Sequence, residues 1–552
     1  PVGEAMIESL YPHGEDGRIP VVAVTGTNGK TTTVRLISHL LSTSGLRVGM
    51  TNTDGVYVEG RQIDSGDCSG PKSARNVLMH PDVDAAVFES ARGGVLREGL
   101  GFDRCQVAVV TNVGSGDHLG LNYVATVEDL ALIKRVIVQN VSPMGFAVLN
   151  ATDPHVVAMA ANCPGEVIYF AADRQHPVMV AHRAQGHRTV CVEGEWLVAA
   201  QGAWRERIAL RDVPLTRSGA IGFQVDNAMA AVAAAWGVGL TWDAIRRGLA
   251  TFSSDTDNVP GRFNLMNFRG ATVIADYGHN PDAMRALVAA VEALPAQRRS
   301  VVISGAGDRR DEDIREQTQI LGGCFDDVVL FQDACQRGRA DGEVIRLLRE
   351  GLAGATRTQR IDEIRGEFVA IDLALDRLEP GDLCLVLVDQ VDEALAHLSQ
   401  RVAAAATSEA YFHAGIVALV WGLVGAVIGG IGVGVAPLAR AGGRVHLHAR
   451  GRHGLQPQPV GVSAASGRLA AIRRRGRARP GRPGRTADPV PALRCAAGGS
   501  RAGAPARRTA AAAAARVPPQ VRAAPARRRA RGRRNGVPRP VRAEVPRGPR
   551  AC

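Results

Sequence analysis

The chain predicts an α/β protein built on parallel sheets, and three observations carry that expectation. Short apolar runs alternate with helical stretches, as in Val21–Val24, Thr31–Ser44 and Arg47–Met50, the rhythm of strand–helix–strand units. A glycine-containing loop, Thr25-Gly26-Thr27-Asn28-Gly29-Lys30-Thr31-Thr32, joins the first strand to the first helix. The polar clusters around Glu89, Asn112 to His118, Asp276 and Gly305 to Asp311 each follow the C-terminal end of a predicted strand. That edge is where open parallel sheets bind ligands.

The first loop reads as a phosphate cradle. Gly26 and Gly29 permit a tight turn whose backbone N–H groups, with the helix N-terminus behind them, face a polyphosphate. Lys30 adds a compact charge, and the Thr31 hydroxyl can ligate the magnesium that travels with ATP. Of 66 basic residues only Lys30, Lys72 and Lys134 are lysine, so an arginine-using chain keeps lysine where an ammonium is wanted.

Strands are predicted next at Ala85–Phe88, Val107–Val110 and Ala147–Leu149, with a helix at Val127–Gln139 and a small-residue helix at Asn227–Trp236. The polar stretch Thr251–Pro260 reads as an interdomain hinge. A second α/β set follows, with strands Thr272–Ala275, Val301–Ser304, Val328–Phe331 and Leu383–Val388 and helices Pro281–Leu294, Asp311–Leu321 and Gly342–Gly351. The expected domains are 21–255 and 256–405, after a linker, 1–20, from a missing N-terminal region. No internal repeat is evident.

The net charge of +12 sums two unlike parts. Residues 441–552 hold 27 arginines, no lysine and two acids, so they carry +25 and leave −13 on residues 1–440. The tail, 440–552, is built of Ala, Arg, Gly and Pro without Phe, Tyr or Trp, and is expected to be disordered. Out-of-frame translation of a GC-rich gene gives this composition; an arginine-rich arm for nucleic acid or acidic polymer and a folded domain are the other readings. With no aromatic to stack on bases, nucleic acid is not the expected partner. The uncharged segment 414–439 has the length of a membrane span, about 20 residues, but equally reads as a packed apolar helix or as sharing the tail's origin. Nine cysteines without a C-x-x-C pair suit reduced thiols in a cytoplasmic protein and no metal framework. No signal peptide is seen, and a chain opening at Pro1 reads as a fragment.

The spelling Thr25-Gly-Thr-Asn-Gly-Lys-Thr-Thr32 resembles the Mur ligase superfamily, ATP-dependent enzymes that join an amino acid to a carboxylate. Asn112-Val-Gly-Ser-Gly-Asp117-His118 is similar to that family's N-[IV]-x-x-D-H loop, and Glu89 stands where the family places a magnesium carboxylate. Gly222-Phe-Gln-Val-Asp-Asn227, Pro260-Gly-Arg262 and Asp276-Tyr-Gly-His279-Asn280-Pro281 continue the motifs in family order. Phe223 and Gln224 replace the family's His-Asn pair, and Gly278 replaces an alanine. The resemblance implies a Mur-ligase-like central P-loop domain with a parallel sheet and a Rossmann-like C-terminal domain.

It implies site residues as well. Gly26, Thr27, Asn28, Gly29, Lys30, Thr31 and Thr32 would hold ATP, with Asn227 toward adenine, Asp276 toward the ribose, His279 among the nucleotide contacts, and Arg262 reaching the γ-phosphate. Thr31, Glu89 and His118 would hold Mg2+, and Lys134 matches a lysine that is carbamylated in several relatives. An ordinary solvent-facing lysine is the alternative for Lys134. The catalytic set is then Lys30, Glu89, His118, Lys134 and Arg262.

Within the superfamily, Gly66-Asp-Cys-Ser-Gly-Pro71, Glu89-Ser-Ala-Arg-Gly-Gly-Val-Leu-Arg97 and Gly305-Ala-Gly-Asp308-Arg-Arg-Asp311 resemble the C-terminal, Mur-like half of bacterial cyanophycin synthetases over roughly residues 3–402. That half adds L-arginine to aspartate β-carboxylates of a cyanophycin primer. The implied partners are ATP, L-arginine, the polyaspartate primer, a separate ATP-grasp polypeptide and a second copy of the chain in a homo-oligomer. Asp308, Asp311 or Glu312 would face the guanidinium, though acids preceding a helix also serve as caps. Ser69, Gly70 and Arg92 would line the polymer side. A folylpolyglutamate- or murein-type ligase is the enzymatic alternative, and a tail-driven binder of nucleic acid or membrane is the non-catalytic one.

Overall fold

In the computed structural model, Met6 and residues 17–114, 119, 124–333 and 335–407 are described. His118, the apolar segment 414–439 and the basic tail therefore lie outside the described residues. Among the described residues no helix is long and apolar enough to cross a membrane.

Two sheets organise residues 17–407. The first has eleven strands. Its centre, in spatial order, is Val141–Asn150, Cys105–Val110, Val21–Thr25, Ala85–Glu89 and Val48–Asn52, all parallel. Alternating side chains along these strands feed two cores, as a sheet covered on both faces requires. Val22 and Val24 pack under helices Lys30–Thr43 and Gly222–Val238, while Ala23 and Phe88 pack against Pro71–Leu78 and Val127–Gln139.

Both flanks of this sheet exceed what the sequence predicted. On one side Glu166–Asp173 and Thr189–Glu193 extend the parallel set, and Trp196–Gln201 and Trp204–Ala209 add antiparallel strands. Gly194 and Gly202, both at positive φ, turn those last two connections. On the other side Gly55–Val58 and Arg61–Ser65 form a hairpin edge. Arg61–Ser65 is exposed at every position, so no apolar alternation marked it.

The second sheet has six strands in the order Asn264–Phe268, Ala271–Asp276, Leu383–Leu387, Arg299–Ile303, Asp327–Gln332 and Arg360–Arg365, parallel apart from the first. Helices Pro281–Glu292, Asp311–Leu321 and Glu343–Gly351 cover one face. Helix Glu367–Asp376 and the helix at 391–407 cover the other. The chain leaves its first sheet through helix Trp242–Thr251 and a run of turns at 253–263.

In the first sheet, Val21–Thr25 lies between Cys105–Val110 and Ala85–Glu89: the chain first builds Val48–Asn52 and Ala85–Glu89 on one side of it, then crosses to Cys105–Val110 on the other. A crevice opens at the C-terminal end of such a switch-point strand. That is where Gly26 begins the phosphate loop.

Candidate active site

Glycine is required twice in the loop. Gly26 has φ +155°, and a Cβ there would meet Thr111 Oγ1 at 1.9 Å and the Asn112 backbone nitrogen at 3.3 Å. Gly29 has φ +83°, and its Cβ would lie 2.3 Å from Asn227 Oδ1. The neighbouring strand end holds the loop in shape. Asn112 Oδ1 accepts the Thr27 and Asn28 N–H groups at 3.1 and 2.9 Å, and Thr111 Oγ1 donates to the Asn28 carbonyl at 2.7 Å. Gly29 caps helix Lys30–Thr43 without a side-chain bond, and no acid occupies the first turn. The helix end therefore offers its N–H groups and partial positive charge to the crevice. Lys30 Nζ donates to the Thr27 carbonyl at 3.0 Å.

Glu89 ends its strand 2% exposed. Its carboxylate accepts from Thr31 Oγ1 at 2.8 Å and from Thr53 Oγ1 at 2.9 Å. A hydroxyl and a carboxylate side by side are hard oxygen donors and suit Mg2+, which keeps most of its shell from water and phosphate rather than protein. Among the described residues no group of three or more His, Cys, Asp or Glu gathers as a metal site. The donor pair fits an ion that arrives with ATP.

Lys134 is buried, 2% exposed, and donates to the Gly26 carbonyl at 2.8 Å. The solvent-facing alternative is thus replaced by a lysine lying behind the phosphate loop.

The second sheet brings Arg262, Asp276, His279, Asn280 and Asp308 to the same crevice. The side chains of Asn28 and Asn280 exchange hydrogen bonds at 2.9 and 3.3 Å. Arg262 stacks on Tyr277, 5.0 Å from the ring centre, and lies 3.7 Å from Asp54. Asp276 accepts the Phe263 and Gly278 N–H groups at 2.8 and 2.7 Å. Burial nevertheless pushes its carboxyl up to about 6, with the Arg262 guanidinium pulling the other way. His279 meets Tyr277 edge-on at 4.0 Å.

Asn227 supports the loop from below: it accepts from Thr33 Oγ1 at 3.4 Å and donates to Gln224 at 3.0 Å. Asp226 beside it also lines the crevice, and burial raises its carboxyl to about 6. Ser69 hydrogen-bonds Asp67 at 2.5 Å, Gly70 caps helix Pro71–Leu78, and Arg92 opens helix Arg92–Glu98 beside them, where the Ala91 N–H donates to the Ser69 carbonyl at 3.3 Å.

The resulting cleft, about 640 Å³, joins loop residues 27–32 to Ser69, Glu89, Arg92, Asn227, Asp276 and Asp308. Asp311 does not line it. That residue sits in the first turn of helix Asp311–Leu321 with Arg339 at 2.8 Å, and the helix has no side-chain cap bond. Asp308 is at the cleft, 3.5 Å from Arg337, whose guanidinium also lies 3.1 Å from Asp389. Burial and a neighbouring Asp333 raise the Asp389 carboxyl to about 6. Sequence reasoning passed over Asn112 as a loop holder and over Thr53, Asp226 and Asp389. Thr53 and Asp389 each follow a strand end, which is the signal that could have found them.

A phosphate loop, a buried carboxylate beside its threonine and a second α/β sheet across the cleft define a class of nucleotide-dependent enzyme. Residues 24–235 match the Mur ligase middle domain and residues 261–387 the Mur ligase glutamate ligase domain. The chain belongs to the Mur ligase superfamily, a family of ATP-dependent ligases. The cyanophycin synthetase of Synechocystis sp. is 40% identical over 401 residues, 72% of this chain and 46% of that protein. That of Nostoc sp. is 38% identical, covering 72% and 44%. The chain thus spans about half the length of these relatives. The UDP-N-acetylmuramoyl-L-alanyl-D-glutamate–2,6-diaminopimelate ligase of Chlorobaculum tepidum is 29% identical over 402 residues, 69% of this chain and 73% of that one. Among solved structures, E. coli FolC in complex with DHPP and ADP aligns with a TM-score of 0.51 at 18% identity, covering 70% of this chain and 93% of FolC. MurF from Acinetobacter baumannii aligns at 0.50 and 17%, covering 70% and 77%. These structural likenesses establish the fold.

Proposed function

We propose that the chain is an ATP-dependent amide ligase that adds L-arginine to aspartate β-carboxylates of a cyanophycin chain through an acyl phosphate. The observation that carries the reading is the single cleft in which the phosphate loop, Glu89 and Arg262 meet Ser69 and Arg92 on one wall and Asp308 on the other. The 40% identity to a cyanophycin synthetase supports the choice of substrates.

ATP lies with its phosphates on the N–H groups of residues 27–32 and against Lys30, and Asn227, Asp276 and His279 stand on the nucleoside side. Thr31 and Glu89, with His118, would hold Mg2+, which supplies charge neutralisation at the phosphates. Lys30 and Arg262 stabilise charge on the transferring phosphoryl group as a substrate carboxylate oxygen attacks the γ-phosphorus, the bond to the β,γ-bridging oxygen breaks and ADP leaves. The α-amine of arginine then attacks the acyl phosphate, and collapse of the tetrahedral intermediate releases phosphate and leaves the amide. Lys134, behind Gly26, fixes the loop as a donor to its carbonyl, and carbamylation would replace its positive charge with a carboxylate while keeping one N–H. No side-chain nucleophile is needed. Asp308 already faces one guanidinium, that of Arg337, which supports a role toward the guanidinium of incoming arginine.

The fold likeness to FolC and the 29% identity to a diaminopimelate ligase keep a folate- or murein-type acceptor as the second reading. Phosphate release is measured with magnesium-ATP and a β-Asp-Arg primer that ends in an aspartate with a free β-carboxylate, in the presence of arginine, glutamate or diaminopimelate. Stimulation by arginine is expected; stimulation by glutamate with a folate, and none by arginine, overturns the substrate assignment. Repeating the assay after removal of residues 411–552 tests the tail-driven binder, which predicts no arginine-dependent turnover in either form.

A further inference from the structure

The turn Asn52-Thr53-Asp54-Gly55, between strands Val48–Asn52 and Gly55–Val58, touches both halves of the cleft. Asn52 is fully buried, and its side-chain oxygen accepts the Asp54 and Gly55 N–H groups at 2.9 and 3.0 Å, which fixes the turn from within. Thr53 donates to Glu89 at 2.9 Å. One residue on, the Asp54 carboxylate stands between two guanidiniums. Arg35, on the helix behind the phosphate loop, donates to it at 2.9 Å, and Arg262 lies 3.7 Å away.

The two arginines are held unequally. Arg35 is 8% exposed and is further fixed by the Tyr57 hydroxyl at 3.0 Å, the Tyr57 ring at 4.8 Å and the Asn258 carbonyl at 3.4 Å. Beyond Asp54, Arg262 has the Tyr277 ring and carbonyls of its own segment, Gly261 at 3.0 Å and Pro260 at 3.5 Å. Two cations that share one carboxylate repel each other once its charge is removed. The anchored Arg35 would stay, and Arg262 would turn away.

We propose that Asp54 is a positioning residue for Arg262: its carboxylate, shared with Arg35, keeps the Arg262 guanidinium directed into the cleft for the terminal phosphate of ATP. This rests on the reading of Arg262 as a γ-phosphate contact. The adjacent Thr53–Glu89 bond makes the same turn a support for the proposed metal carboxylate, so one short segment sets both charges around the triphosphate.

The test uses binding, which needs no amide substrates. Dissociation constants for ADP and for the β,γ-imido analogue of ATP are measured by calorimetry on the full chain, with thermal unfolding recorded for each variant. Their ratio reports the γ-phosphate contact alone. Arg262→Ala is expected to lower the preference for the triphosphate by about tenfold or more, the loss of a charge-assisted contact. Asp54→Asn is expected to lower it by about threefold or more, Asp54→Glu to leave it near wild type, and Asp54→Asn in the Arg262→Ala background to change nothing further. Arg35→Gln added to Asp54→Asn restores the preference, because the repelling cation is gone. Asp54→Ser replaces the asparagine variant should that one not fold. An unchanged or raised preference in Asp54→Asn, or losses that multiply in the double variant, overturns the role of Asp54. An unchanged preference in Arg262→Ala instead overturns the reading of Arg262, and this inference with it.

Discussion

Replacing Asn112 with alanine isolates the physical basis of the phosphate loop. The Asn112 side chain accepts the N–H groups of Thr27 and Asn28 at 3.1 and 2.9 Å and donates to the Asn28 carbonyl at 3.2 Å. Not all three bonds are irreplaceable. The Thr27 N–H also reaches the Asn112 carbonyl at 3.0 Å, and the Asn28 carbonyl also accepts from Thr111 at 2.7 Å. The loss therefore falls mainly on the Asn28 N–H. One orphaned donor plus two weakened bonds costs about 1–3 kcal/mol of loop order, given roughly 1 kcal/mol for each net hydrogen bond. Since the loop must be ordered to receive phosphate, that cost appears in nucleotide affinity as roughly 5- to 150-fold weaker ADP binding. The sheet around the loop keeps its two cores, so the unfolding temperature should move little. Calorimetric titration with ADP and a melting curve make the comparison. Wild-type affinity in Asn112→Ala would refute the claim that this side chain holds the cradle.

Three further outcomes follow from named contacts. Gly26→Ala forces a Cβ to within 3.3 Å of the Asn112 backbone nitrogen at φ +155°, so it should abolish nucleotide binding, as read by the same titration. Asp226 has a folded-state value near 6 against an ordinary 3.8, so its native protonation stabilises the fold at low pH and that contribution is lost as pH rises through about 6. Asp226→Asn should therefore unfold later than wild type at pH 8, by at most about 3 kcal/mol and about half that given its partial exposure, with the difference gone below pH 4 in melting curves. Lys134→Met removes the buried donor to Gly26 and should weaken ADP binding by roughly 5-fold or more. A melting temperature lowered without change in affinity would show instead a purely structural lysine.

What the sequence made legible was the centre of each sheet. Val21–Thr25 and its loop combine an apolar run, two glycines and a lysine, and each signal is local. The strand-end rule likewise placed Glu89 and Asp276 correctly, at the ends of Ala85–Glu89 and Ala271–Asp276. The flanks were illegible for physical reasons. Arg61–Ser65 is an edge strand that buries nothing, and Trp204–Ala209 mixes Arg205, Glu206 and Arg207 into a strand whose outer edge faces away from the sheet. Partners that depend on tertiary approach were hidden for another reason. The Lys134 acceptor is 108 residues away in sequence, and Asn28 meets Asn280 across 252 residues. Spacing within a motif says nothing about either. Asp311 shows the converse case: its motif position suggests a substrate contact, and only the structure shows it in a helix first turn paired with Arg339.

The central claim is ligation through an acyl phosphate in this cleft. It is tested most directly with a primer whose acceptor carboxylates carry oxygen-18, turned over with ATP and arginine, followed by mass analysis of the released phosphate. The account predicts that each phosphate released carries one labelled oxygen and that the primer gains arginine in equal amount. Arginine-dependent turnover that yields unlabelled phosphate, or AMP and pyrophosphate, would contradict it.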